Sequence, residues 1–186
     1  MTDRSAPDVL QVVQDLVNTL NIETGADALA AEGGLVAFLS EHGAPDLVPV
    51  TGAAEALPEL QELREALRAV CLAHTVRDAV SEEAARALDR LLARAPLVLA
   101  MAPDGGVALR PAPGLEGIAR LIALISAGIA TADADGTWPR LKACEAHDCR
   151  WVFYDRSPAG RSRWCTMAVC GSRAKMRTYR ARRAGP

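Results

Sequence analysis

The chemistry of this chain gathers in its last quarter, where four of its five cysteines are spaced Cys144-x4-Cys149-x15-Cys165-x4-Cys170. Two thiol pairs joined by a turn-bearing loop are the donor set of one tetrahedral Zn²⁺, each pair giving two thiolates and the loop folding the pairs together. Arg150-Trp151-Val152-Phe153-Tyr154 alternates aromatic and β-branched residues, and Arg161-Ser162-Arg163-Trp164 is placed to pair back on it across Pro158-Ala159-Gly160. Such a hairpin returns Cys165 to Cys149, whereas a straight strand would part them by about 53 Å. Cys165 and Cys170 would point about 140° apart on a regular helix, so the two do not share one. The spacing predicts a bend at Gly171, an N-cap at Ser172 and a helix over Arg173–Arg183.

Other uses of these thiols are weighed against the metal. Two disulfides would require an oxidising compartment. Met1-Thr2-Asp3-Arg4-Ser5-Ala6-Pro7 lacks the apolar core of a signal peptide, which points to a reducing cytoplasm. His147 could replace one cysteine, but four thiolates already complete a tetrahedron. That closed shell leaves no position for an activated water beside Glu145, so a zinc hydrolase or deaminase is not expected. Cys71, among Leu67, Val70 and Leu72, reads as a buried free thiol. No phosphate loop or nucleophile elbow is present, and His42 and His74 have no metal or triad spacing. The chain is therefore read as a non-enzyme.

Charge divides along the chain. From Trp138 onward there are 12 Lys and Arg against 3 Asp and Glu, while residues 1–137 hold 9 against 20. A basic tail of this kind is the electrostatic footprint of a polyanion. On the expected helix Arg173, Arg177 and Arg180 form one stripe and Lys175 and Arg182 a second, with Arg183 at the end, where the macrodipole also favours cations. Arg156, Arg161 and Arg163 add guanidiniums beside Trp151, Phe153, Tyr154 and Trp164, and Arg suits phosphate through its bidentate fork. The competing uses are docking on an acidic protein surface, this chain's own N-terminal half or a second copy included, and simple solubility. Phe153 and at least one Trp are expected to fill a small core. Any that remain outside would favour RNA or single strands over duplex DNA.

The N-terminal 136 residues must position or regulate that tail. Val9 to Leu20 repeats apolar residues at three and four, and Gly33-Gly34 and Gly43 bracket Leu35–Leu39. A longer helix is expected from Leu60 to Val80, and another starting with Ser81 as cap and ended by Pro96. Leu97–Met101 and Val107–Arg110 flank Pro103-Asp104-Gly105-Gly106 as a β-hairpin. Leu115 to Ile129 reads as a central buried helix, and Ala132–Gly136 as a linker. The longest apolar run, Leu121 to Ala130, falls short of the ~20 residues that span a bilayer, so no membrane partner is expected. Asn18 and Thr19 are candidate ligand-binding residues for a small effector, with a helix cap as the alternative.

Arg140-Leu141-Lys142-x-Cys144, Trp151-x-Phe153-Tyr154-Asp155-Arg156-Ser157 and Trp164-Cys165-x-Met167-x-x-Cys170-Gly171-Ser172-Arg173 resemble the CGNR zinc-finger family. Ser172 stands where the family's tetrad has Asn; both cap helix N-termini through a side-chain oxygen. Asp15-Leu16-Val17-Asn18-Thr19 with Leu35-x-x-Phe38-Leu39 resembles the opening of the ABATE domain that precedes such fingers. The resemblance implies a bacterial transcription regulator with a treble-clef-like zinc module. The reading as a whole is an α+β protein: a mostly helical ABATE-like domain with a small hairpin over 1–136, for sensing or homodimerisation, and a four-cysteine finger with a basic helix over 137–186. Zn²⁺ is its cofactor and DNA its partner. The alternatives are an acidic protein partner, or RNA and single strands.

Overall fold

A computed structural model describes residues 3–42 and 53–183, and the side chains of all of these but 53–55. The bracketing Gly43 lies outside the described residues. Helix α1, Asp8–Asn18, places Leu10, Val13, Leu16 and Val17 on one buried stripe, as their three- and four-residue spacing requires. Helix α2, Gly34–Glu41, adds Leu35, Phe38 and Leu39. Helix α3, Ala53–Val76, begins earlier than expected because Pro58 is accommodated in its first turns, and it ends at Val76 instead of Val80. Helix α4, Glu82–Leu92, starts at Ser81, whose Oγ accepts from Ala84 N at 3.3 Å.

Strands β1, Leu97–Met101, and β2, Val107–Pro111, form the expected antiparallel hairpin, with Leu99 opposite Leu109. Helix α5, Gly117–Ala134, lies against α1, α4 and β2 and buries Leu121, Ile122, Ala123 and Ile125. Its 18 residues are, by length and composition alone, enough to cross a membrane, which the shorter apolar run had not suggested. Residues Ala132 to Ala134, expected in a linker, are its last turn, and Ala132 is buried.

The second correction concerns the finger's sheet. Strand β4, Val152–Tyr154, pairs antiparallel with β3, Leu141–Ala143, and not with Arg161–Trp164. Leu141, Ala143, Val152 and Tyr154 belong to the same hydrophobic core as Leu10, Leu16, Leu63 and Ile125. A strand lying upstream of the first cysteine thus takes the place predicted for the one after the turn. It wins because β3 can bury three residues in a row against α3, whereas Arg161 and Arg163 are exposed.

The segment after β4 is organised by Asp155, which has no exposure to solvent. Its carboxylate accepts from Lys142 Nζ at 2.9 Å, from Ser157 N and Oγ at 3.1 and 2.7 Å, and from Ser162 N and Oγ at 2.8 and 2.7 Å. Pro158-Ala159-Gly160 is a turn as expected, with Gly160 at a positive φ of 55° and its carbonyl accepting from Lys142 Nζ at 2.7 Å. A buried carboxylate thereby closes the loop that a sheet ladder was expected to close.

Candidate metal centre and basic helix

The first cysteine pair is brought together by a knuckle. Cys144 N donates to Trp151 O at 2.9 Å, extending the β3–β4 pairing, and Cys149 N and Arg150 N both donate to Ala146 O. Arg150 adopts a positive φ of 52° and turns the chain into β4. The second pair is joined by a π turn, Met167–Gly171, in which Gly171 N donates to Thr166 O at 3.1 Å. A turn closed over five residues puts Cys170 back beside Cys165, resolving the mismatch of that spacing with a regular helix.

Helix α6, Ser172–Arg183, continues directly from this turn. Ser172 is already helical and its Oγ donates to Met167 O at 3.1 Å, so it is not the N-cap; the extended Thr166 precedes the first turn. Gly171 sits at a close approach: a Cβ there would lie 3.3 Å from Trp164 Cδ1 and 2.8 Å from the end of Met167, which would have to move aside.

The four sulfurs lie within 4.8 Å of one another, with Cys149 to Cys165 at 3.6 Å and Cys165 to Cys170 at 3.7 Å. Metal–sulfur bonds of about 2.3 Å in a tetrahedron give edges of about 3.8 Å. The donor set therefore fits a tetrahedral thiolate-bound ion. Cys144 and Cys170 are buried and Cys149 and Cys165 half-buried, with Trp164 and Ala146 packed around them. The crowding is electrostatically one-sided. Hydrogen bonds from Cys149 and Cys165 hold Cys144 well below the usual thiol range, and those of Cys165 with Cys144 and Cys149 push the Cys165 thiol far above it. One thiolate at this spacing suppresses its neighbours, and a cation lifts that constraint. His147 is exposed and outside the cluster.

The basic residues divide into two groups. Arg156 pairs with Asp3 at 3.4 Å, Arg163 with Glu145, and Arg173 with Glu23 at 2.9 Å. Glu145 and Arg163 lie within the finger, while Asp3 and Glu23 belong to the N-terminal region. Arg161, Lys175, Arg177, Arg180, Arg182 and Arg183 are exposed and form no ion pair with the described residues. Five of these six lie on α6, which has no acidic residue, buries none of its residues and makes its main packing contact with the π turn. Phe153 is buried, as expected, Trp138 and Trp164 are half-buried, and Trp151 and Tyr179 are exposed.

Asn18 and Thr19 are half-buried, and their polar groups are engaged within the chain. Asn18 Oδ1 accepts from Val152 N at 2.8 Å and its Nδ2 donates to Val152 O at 2.9 Å, fixing α1 to the free edge of β4. Thr19 Oγ1 donates to Leu16 O at 2.7 Å and accepts from Arg64 at 3.2 Å. The free edge of a two-stranded ladder needed an amide partner, and Asn18 offers both a donor and an acceptor.

Sequence reasoning missed the two buried arginines beneath this contact. Arg64 meets Asp27 at 2.8 Å; burial would raise that carboxyl, but Arg64 outweighs it and holds it low. Arg68 donates to Val17 O at 2.8 Å and to Arg150 O at 3.2 Å, joining α3, the end of α1 and the knuckle. Their signal was present: Leu60, Arg64 and Arg68 fall four residues apart on the inward face of α3. His74, without metal partners, meets Leu141 O at 2.9 Å and the edge of Trp138. Cys71 is fully buried, which pushes its thiol up to about 12.

An α+β domain whose core runs into a four-cysteine cluster with a projecting basic helix has the architecture of a zinc-finger protein. A family model described as "Putative stress-induced transcription regulator", ABATE, matches residues 10–148, and the CGNR zinc finger matches residues 140–183. With three quarters of its length matched, the chain belongs to the ABATE family, with a CGNR zinc finger at its C-terminal end. No curated protein matches it significantly. The two matches overlap over 140–148, the stretch that holds β3 and the first knuckle up to the residue before Cys149.

Proposed function

We propose that this protein is a DNA-binding transcription regulator that acts by binding, without turnover, in a reducing cytoplasm where its thiols stay reduced. Cys144, Cys149, Cys165 and Cys170 would hold Zn²⁺, which when bound neutralises the thiolates and cross-links knuckle to π turn. The observation that carries the reading is α6: about 18 Å of helix at 1.5 Å per residue, bearing six cations and no acid, with five of them unpaired among the described residues. Cations arranged in this way grip phosphates and release condensed counterions. Arg173, first in the stripe expected to bind, is held by Glu23 and serves to orient the helix, which leaves Arg177 and Arg180 to contact the polyanion.

The test is fluorescence anisotropy of the zinc-loaded full chain with labelled DNA over a salt series. Arg177→Glu with Arg180→Glu is expected to abolish binding and flatten its salt dependence. Equal binding by the double variant would reject the role of α6. A second reading, docking on an acidic protein, draws on the exposed Val169 and Met176 beside Arg173, Arg177 and Arg180. Copurification of a protein that survives nuclease would favour it.

A further inference from the structure

A groove of about 690 Å³ runs between α6 and the Arg163-Trp164 segment. Trp164 forms its floor, held half-buried against Gly171, and Tyr179 stands at its outer wall with 53% of its surface exposed. Lys175, Arg177 and Arg182 line it and form no ion pair with the described residues. Glu145, its one acidic residue, is neutralised by Arg163, which also lies over the Trp164 ring at 5.2 Å. Aromatic surface and unpaired cations therefore converge on one open cleft.

We propose that this groove takes an unpaired nucleotide of a single-stranded nucleic acid, with the base against Tyr179 and the flanking phosphates on Lys175, Arg177 and Arg182. The inference rests on the nucleic-acid reading above and narrows its substrate. A duplex shows base edges in its grooves and keeps base faces stacked inside, so Tyr179 has a ring to meet only where a base is unpaired. A second copy docked α6 to α6 is disfavoured, because it would bring like unpaired cations together. An acidic peptide would satisfy the cations but would leave the exposed Tyr179 ring, which Arg183 covers on one face at 5.5 Å, without a match for its other face.

The experiment compares a labelled oligothymidylate with a duplex of equal length on the zinc-loaded full chain, with wild type, Tyr179→Ala and Tyr179→Phe. The exposure of Tyr179 makes both variants safe for folding. The single strand is expected to bind more tightly than the duplex. Tyr179→Ala should weaken it by about tenfold, and Tyr179→Phe should restore it. Preference for the duplex, indifference to Tyr179→Ala, or equal competition by oligoglutamate would overturn the proposal. If neither nucleic acid binds at any salt concentration, the nucleic-acid reading itself is lost. If the duplex binds and responds to Arg177→Glu with Arg180→Glu while Tyr179→Ala changes nothing, only the groove assignment is lost.

Discussion

At the scale of single residues, Asp155 has the most contacts to lose. Burial would raise its carboxyl, but Lys142, Ser157 and Ser162 outweigh burial and hold it well below the usual carboxylate range. Removing one partner of a buried pair leaves the other charge uncompensated, at a cost of about 3–5 kcal/mol. Asp155→Ala is therefore expected to lower unfolding free energy by about 3 kcal/mol or more, read from urea denaturation, whereas exchanging Lys142 and Asp155 together for apolar residues should cost less. The pH dependence has a definite sign. A carboxyl lowered in the folded state stabilises fully above its unfolded value, about pH 4, and that stabilisation is lost as pH falls towards the folded value. Asp155→Asn should flatten the decline in stability below about pH 4; a slope equal to wild type would show the carboxylate to be unimportant. Asp155 was quoted in the sequence only as part of a family pattern, because a carboxylate in a turn is usually solvated and its burial depends on β3.

At the scale of elements, α6 and the π turn depend on the metal. A helix of this length is marginal alone in water, and α6 has no buried residue and packs mainly on the turn that carries Cys170. Strands β3 and β4 have the N-terminal core beneath them. Treatment with a strong chelator is expected to remove helical circular dichroism corresponding to about one helix in six, while near-ultraviolet signals of the buried Phe153 and the packed Trp138 persist. An unchanged spectrum would mean that α6 is held by something other than the cysteine cluster. The helix itself was legible from Arg173 onward. Its true beginning was not, since a five-residue cysteine spacing is incompatible with an α-helix and only the geometry of a π turn reconciles the two.

At the scale of the whole molecule, the finger is continuous with the core. Leu141, Ala143, Val152 and Tyr154 bury themselves among the residues of α1, α3 and α5, and Asn18, Gln14, Arg68, Thr75 and His74 all bond to backbone carbonyls between Leu141 and Val152. A fragment of residues 137–186 would expose that apolar surface, so it is expected to give a poorly dispersed NMR spectrum even with zinc, while the full chain is well dispersed. Asn18→Ala leaves the Val152 amide without its partner, while the carbonyl keeps its bond from Gln14, and should cost about 2 kcal/mol. A two-unit chain with independent melting would instead show the variant's effect in one of two separate transitions.

The cysteine spacing, the split of charge and the apolar periodicities by themselves determined the metal donor set, the basic tail and the helical character of the described N-terminal segments, with the ends of α3 and α5 displaced. These depend on neighbours within a few turns of chain, where residue type and spacing fix which side chains share a face. Tertiary structure alone decided that β3 pairs with β4, that Asn18 clamps the strand edge and Arg173 meets Glu23. The β3–β4 pairing and the Asn18 clamp were settled by competition for buried surface and for unpaired backbone groups, and the exposed Arg173–Glu23 pair by the approach of two distant stretches of chain that the fold creates. Local pattern carries no record of that competition, which is why the chemistry of the finger was legible and its attachment to the core was not.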